Sequence, residues 1–250
     1  MTTAFSPAAR AASRRPSGSS ARTRLQLVSS FRLVAAGTVI RLPYSLERVV
    51  AYLAIAHGPV GRSRLAGALW PDVPERRASG ALRSALWRLH RVCGVIERDE
   101  RVLALDSNVV VDLSDLADLT LALIHRSGPE VLGRLPELVD GAEILPGWDE
   151  EWLVVERERY RLLRLRALEQ AGEAFLAAND PARAMEASLA SISTEPYRES
   201  AHRLLVRVHL AEGNLSEALR AYDVYRRIVE EELGIKPSSD MEQLIATVRR

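Results

Sequence analysis

From Arg76 to Ile96 the chain contains no aspartate or glutamate, yet it holds Arg76, Arg77, Arg83, Arg88 and Arg91 in a segment that reads as one helix. Setting its residues about 100° apart gathers Leu82, Ala85, Leu86, Leu89 and Cys93 into one apolar stripe, as a helix packed on a core requires. The opposite face then carries Arg77, Gly80, Ser84, Trp87, Arg88 and Arg91, with Arg83 at its edge. These residue types suit a DNA major groove. Arginine takes guanine edges or phosphates, serine makes either kind of contact, and glycine lets the backbone come close. The competing reading is a solvated face whose arginines follow overall composition, since Lys236 is the single lysine among 34 basic residues. Trp87 favours the first reading, because tryptophan on a polar face is less usual than tryptophan in a core.

The elements that must position this face can be read outward from it. Residues 25 to 43 hold short apolar runs broken at Ser29-Ser30 and Ala36-Gly37, which predicts two or three strands with a hairpin turn. Ser45 is expected to cap a first helix with Leu46, Val49, Val50, Leu53 and Ile55 on its apolar face, closed by Gly58-Pro59. Ser63 is expected to cap a second, with Leu65, Leu69 and Trp70 inward, and Arg62 and Arg64 at its start facing phosphate. The arginine-rich helix comes third. After Gly94, residues 95 to 105 read as a hairpin turning at Asp99-Glu100, followed by a strand over Val109 to Val111. Strands, three helices and a closing hairpin are the order of a winged helix-turn-helix, in which the third helix reads the groove. Arg98 and Arg101 are the wing's candidates for DNA, although Glu97, Asp99 and Glu100 beside them oppose phosphate.

At 250 residues the chain suits one or two domains, and 47% hydrophobic residues are enough to form real cores. The net charge of +1 conceals a division: residues 1 to 112 hold 17 basic and 8 acidic residues, residues 113 to 250 hold 17 and 25. The basic part suits phosphate and the acidic part suits protein contact. One cysteine, Cys93, excludes an internal disulfide, and its place on the apolar stripe predicts a packed thiol. No run approaches the roughly 18 apolar residues of a membrane span. Residues 1 to 23, rich in Arg, Ser and Ala, lack the apolar core of a secretory signal; a mitochondrial presequence fits formally, and a disordered basic tail is the simpler reading.

From Ser114 onward apolar residues recur at helical spacing and no strand is evident, so residues 114 to 250 are expected to be all helical. Shifting the sequence by 34 residues aligns Asp180–Ala187 with Asn214–Ala221, matching Ala184 to Ala218 and Ala187 to Ala221, and aligns Leu176-Ala177 with Leu210-Ala211. That period is typical of tetratricopeptide-like helix pairs. Trp148, Trp152, Tyr160, Tyr197, Tyr222 and Tyr225 are read as packing aromatics.

Residues 62 to 91, with the LWPD junction at Leu69–Asp72 and the run ALRSALWRLHR at Ala81–Arg91, resemble the second and third helices of the OmpR-type winged helix found in the Streptomyces antibiotic regulatory protein family. Leu145–Glu169 and Glu230–Leu244 are similar to the opening and closing of the bacterial transcriptional activator domain that follows it in that family. The resemblance implies a short form of this family: a mainly α fold with small β elements, a winged helix over 24–113 and a tetratricopeptide-like helical domain over 114–250. It places Arg77, Gly80, Arg83, Ser84, Trp87, Arg88 and Arg91 at or near DNA, the face that periodicity selects independently. It also implies a cytoplasmic, nucleoid-associated transcriptional activator that binds promoter direct repeats as a homodimer and contacts RNA polymerase. With the arginine-rich composition it suggests an actinobacterial source.

No catalytic constellation is evident. His57, His90, His125, His202 and His209 are scattered, and no phosphate-cradling glycine motif or phosphorylatable receiver domain occurs. The expectation is a non-enzyme without cofactor or metal. The alternative is a protein-binding scaffold of tetratricopeptide type whose winged helix has degenerated.

Overall fold

The computed structural model describes residues 22–56, 58–126, 128–141 and 143–248, with no side-chain description at Arg98, Arg126 and Val248. The expected basic tail falls almost wholly outside these residues. The chain opens with strands β1 (Arg24–Gln26), β2 (Arg32–Ala35) and β3 (Thr38–Ile40), antiparallel to one another in sequence order. Ala36 and Gly37 both adopt positive φ, 49° and 78°, which turns the β2–β3 hairpin in two residues.

Three helices follow: α1 (Tyr44–Ile55), α2 (Arg62–Leu69) and α3 (Glu75–Val92). Their apolar faces are as expected, but neither serine caps. Pro43 occupies the N-cap of α1, and its carbonyl accepts Leu46 N–H at 2.8 Å and Glu47 N–H at 3.1 Å, so the helix begins before Ser45 can cap it. At α2 the short strand β4 (Val60–Gly61) delivers the chain straight into the helix and leaves Gly61 at the cap. Trp70 is half-buried at the end of α2 rather than wholly inward.

Strands β5 (Ile96–Arg98) and β6 (Val102–Leu105) form the wing hairpin, and β6 also pairs with β4. Strand β7 (Val110–Val111) then returns parallel to β1, giving the first sheet the order β3-β2-β1-β7. Asp112 opens α4 (Asp112–Arg126) and its carboxylate accepts Leu27 N–H at 2.8 Å, Val28 N–H at 3.1 Å and Leu113 N–H at 2.7 Å. Burial raises its pKa, against those hydrogen bonds.

Every named element after β7 is helical: α4, α5 (Pro129–Leu132), α6 (Leu135–Val139), α7 (Glu151–Ala177), α8 (Pro181–Thr194), α9 (Glu199–Ala211), α10 (Leu215–Leu233) and α11 (Ser239–Val248). An isolated bridge joins Val28 to Ile144. Buried Arg164 closes the end of α6 by donating to Leu138 O at 2.8 Å and Val139 O at 3.1 Å, carbonyls that a helix end otherwise leaves unpaired. The helices pack in sequence, α7 on α8, α8 on α9 and α9 on α10. One apolar core runs from Leu25 in β1 through Leu65 and Leu89 to Leu168 and Leu204, and a second, around Val206, Tyr222, Val229 and Met241, closes the C-terminal end. The fold is thus mainly α with small sheets, a winged helix-turn-helix followed by tetratricopeptide-like helices. Among the described residues no helix is long and apolar enough to cross a membrane.

Candidate nucleic-acid interface

Helix α3 separates its two faces cleanly. Ala78, Leu82, Ala85, Leu86 and Leu89 are each at most 3% exposed, whereas Arg77, Arg83, Ser84, Trp87, Arg88 and Arg91 are exposed and Gly80 is half-exposed. Cys93 falls just past the last helical residue, half-buried, and burial raises its thiol pKa. Packing of the inner face against α1 and α2 leaves the outer face free of protein.

Within that outer face Trp87 is 59% exposed, and the Arg91 guanidinium lies 4.8 Å from the centre of its ring. That distance is a cation–π contact, and it draws the arginine along the helix surface. Ser84 donates its hydroxyl to Gly80 O at 3.1 Å, which leaves the oxygen's lone pairs as acceptors. A Cβ at Gly80 would meet only an Arg83 guanidinium nitrogen, at 3.8 Å, so the protein's own packing does not demand glycine there. Among the described residues no carboxylate forms an ion pair with Arg77, Arg83, Arg88 or Arg91.

Arg62 and Arg64, at the start of α2, differ from each other. Arg64 is exposed, but the Arg62 guanidinium donates to Glu100 O at 3.1 Å and Asp99 O at 3.2 Å, and its backbone N–H donates to Arg101 O at 3.2 Å. Arg62 therefore pins the wing turn to the helix-turn-helix. Arg101 is exposed beside it, and Arg98 lies on β5. Two of the neighbouring carboxylates are engaged by the wing itself: Asp99 accepts Glu100 N–H at 2.6 Å, and Glu97 accepts Ser107 N–H at 3.3 Å. The predicted residues thus fall on three connected pieces, the outer face of α3, the start of α2 and the wing.

Among the described residues no group of three His, Cys, Asp or Glu side chains is arranged to hold a metal ion. His202 is buried, its Nε2 lies 2.9 Å from Pro196 O, and burial lowers its pKa. Of the aromatics read as packing, Tyr197 is instead 42% exposed. Sequence reasoning overlooked a polar contact that joins the two halves, between Arg48 on α1 and Glu150 ahead of α7. A cation amid the apolar residues of α1 was its one visible sign.

Residues 131–249 match the bacterial transcriptional activator domain family. Two curated relatives, the regulatory protein AfsR of Streptomyces coelicolor and of Streptomyces griseus, are each 29% identical, over 201 and 205 residues. The alignments cover 74% and 76% of this chain but 20% and 21% of those proteins, so the chain spans about one fifth of the length of the curated relatives it matches. Among solved structures it is similar to Mycobacterium tuberculosis EmbR, determined in complex with a low-affinity phosphopeptide, with a TM-score of 0.74, 21% identity, and coverage of 92% of this chain and 65% of that one. This likeness shows the shared fold. The AfsR alignments are longer than the helical half alone and so extend into the winged helix. The helical half thus matches the bacterial transcriptional activator domain, and about three quarters of the chain is similar in sequence to regulatory proteins of Streptomyces.

Proposed function

We propose that this regulator binds double-stranded promoter DNA with α3 in the major groove, and that it activates transcription. The single observation that carries the reading is the outer face of α3: exposed arginines without carboxylate partners, arranged around an exposed tryptophan on a helix whose other face is buried. In this reading Arg77, Arg83, Arg88 and Arg91 meet bases or phosphates, Ser84 and Gly80 lie at close approach, and Trp87 holds Arg91 and covers apolar sugar or base surface. Arg64, Arg98 and Arg101 supply flanking phosphate contacts, and Arg62 orients the wing. We divide the chain into a DNA-binding part over 24–113 and an activator part over 114–250. The acidic second part, on this reading, contacts RNA polymerase, and two copies occupy direct repeats in the cytoplasm at the nucleoid.

The test is selection of random duplexes by the purified protein and by Arg88→Ala, at two salt concentrations. Enrichment of a short repeat by the wild type, with affinity reduced by about 1–3 kcal/mol in the variant if Arg88 reads a base, is the expected result. If Arg88 meets only phosphate, the salt slope falls by about one while sequence preference persists. Salt-sensitive retention without enrichment would overturn specific recognition and favour a helical protein-binding scaffold.

A further inference from the structure

The Glu150 carboxylate, just ahead of α7, has a side chain only 8% exposed and three donors converging on it from both halves of the molecule. Tyr44 donates its hydroxyl at 2.9 Å, Arg48 donates a terminal guanidinium nitrogen at 2.9 Å, and Trp152 donates its indole N–H at 2.7 Å. The same terminal nitrogen of Arg48 also lies 2.6 Å from the carbonyl of Leu69, the last residue of α2. That carbonyl is one that a helix end leaves without an intrahelical partner, and it immediately precedes the Trp70–Pro74 turn leading into α3.

A continuous polar path therefore runs from the start of α7, through Glu150 and Arg48, to the turn of the helix-turn-helix. Aromatic contacts flank it: Trp148 lies edge-on to Tyr44 at 4.8 Å and stacks with Phe31 at 6.0 Å, and Trp152 lies 5.1 Å from Tyr52. The two sets of contacts do different jobs. The aromatic rings bury area and are tolerant of small rotations. A guanidinium held by a buried carboxylate at one edge and a helix carbonyl at the other is directional, and it fixes where α2 ends.

We infer that Glu150, although outside the winged helix, is a positioning residue for DNA recognition: through Arg48 it sets the α2–α3 turn and hence the seating of α3 in the groove. The inference rests on the DNA-binding reading above. A helix seated slightly wrong keeps its flexible phosphate contacts and loses its bidentate base contacts first. Loss of the Glu150 charge thus acts on discrimination between sequences more than on binding as such. It also makes the helical half a part of the reading apparatus, since any partner that shifts the start of α7 would move the same carboxylate.

The experiment uses the full chain carrying Glu150→Gln, a near-isosteric change that leaves the aromatic contacts in place. Affinity is measured for the duplex selected by the wild type and for a scrambled duplex over a range of salt, and amide hydrogen exchange is followed over residues 66–78. The expected result is a fall of about tenfold in the ratio of specific to scrambled affinity, the equivalent of one charge-assisted hydrogen bond. Scrambled binding and its salt slope stay unchanged, and exchange quickens in the turn. Arg48→Lys, which keeps the charge but not the forked geometry, should show the same pattern more weakly. A Glu150→Gln protein that melts lower but keeps its discrimination ratio and turn protection would overturn the inference and reduce Glu150 to adhesive. Should Glu150→Gln not fold, Arg48→Lys carries the test alone, and an unchanged ratio and exchange there would equally overturn it. If the wild type selects no sequence, the DNA-binding reading has failed, while quickened or unchanged exchange in the turn still decides whether Glu150 positions it.

Discussion

Trp87 and Arg91 sit one helical turn apart on a surface where neither is needed to hold the protein together. The ring is 59% exposed and the guanidinium reaches it at 4.8 Å, so the pair costs the fold little and organises the outer face of α3. Removing either side chain should leave thermal stability nearly unchanged, within about 0.5 kcal/mol, because both are surface positions. Each of Trp87→Ala and Arg91→Ala should weaken binding to the selected duplex. Their effects should be less than additive, by about 0.5–1 kcal/mol, since removal of the ring already frees the arginine that it holds. Fluorescence anisotropy on the two single variants and the double variant measures this. Strictly additive losses would mean that the two residues act separately, and a drop in melting temperature would mean that the ring packs where its exposure says it does not.

At the scale of elements, the helical half repeats itself. Helices α7 and α9 end at Ala177 and Ala211, α8 and α10 begin at Pro181 and Leu215, and the left-handed residues Asn179 (φ 59°) and Gly213 (φ 72°) occupy equivalent places between them. This was legible in the sequence because each repeat writes its own turn and its own small residues: Ala184 and Ala218 are both wholly buried. The stripe on α3 was legible for a similar reason, as periodicity is local. What depends on distant partners was not. Glu150 meets residues 102 and 106 positions away, and nothing in its neighbourhood distinguishes it from the exposed carboxylate of Glu151 beside it. Arg62 reads like any arginine at a helix start until the wing turn, 37 and 38 residues on, supplies the carbonyls it binds. The serine caps were misplaced because the chain arriving at each helix, proline in one case and a paired strand in the other, decided where the helix began. Gly172 is another position whose role lies in its partners. A Cβ there would come within 2.5 Å of a Leu204 methyl and 3.5 Å of the Ala187 methyl, and Leu204 is itself buried and hemmed in. Gly172→Val should therefore destabilise the protein by about 1–3 kcal/mol through overpacking, even though glycine is a poor helix former. Urea unfolding checks it, and a change within about 0.5 kcal/mol would show that α7 and α9 do not meet as closely as the structure has them.

For the molecule as a whole, the C-terminal end carries an acid sensitivity opposite in sign to the burial-raised carboxyls Glu47 and Asp112 at the other end. His202 is buried against the Tyr225 ring at 4.6 Å, and burial holds its pKa below the ordinary value of 6.5, with the Pro196 carbonyl and Glu199 acting in the other direction. An unfolded chain takes up a proton on this histidine near its ordinary pKa, whereas the folded chain resists until lower pH. The unfolded state therefore binds more protons in that interval, and stability is lost as pH falls through about 6.5. Glu199 adds a second limb at lower pH. Burial raises its pKa, but the hydroxyl and amide of Ser238, the Tyr225 hydroxyl and Arg203 together bring it below the ordinary 4.5, so its contribution is present above that value and disappears as pH falls through its folded pKa. His202 packs α9 on α10, and Glu199 clasps α9 to α10 and to Ser238 just ahead of α11, the part of the chain with its own small core. Acidification from pH 7.5 to 5.5 should accordingly lower the thermal midpoint of the full chain, with amides of α9 to α11 losing exchange protection before those of α1 to α3. His202→Phe keeps a ring against Tyr225 and removes the titrating group, so it should flatten that limb while leaving the decline below pH 4.5 intact. If the variant follows the wild-type curve between pH 7.5 and 5.5, the acid sensitivity does not come from His202. If α1 to α3 lose protection first, the winged helix and not the C-terminal clasp is the weaker end of the molecule.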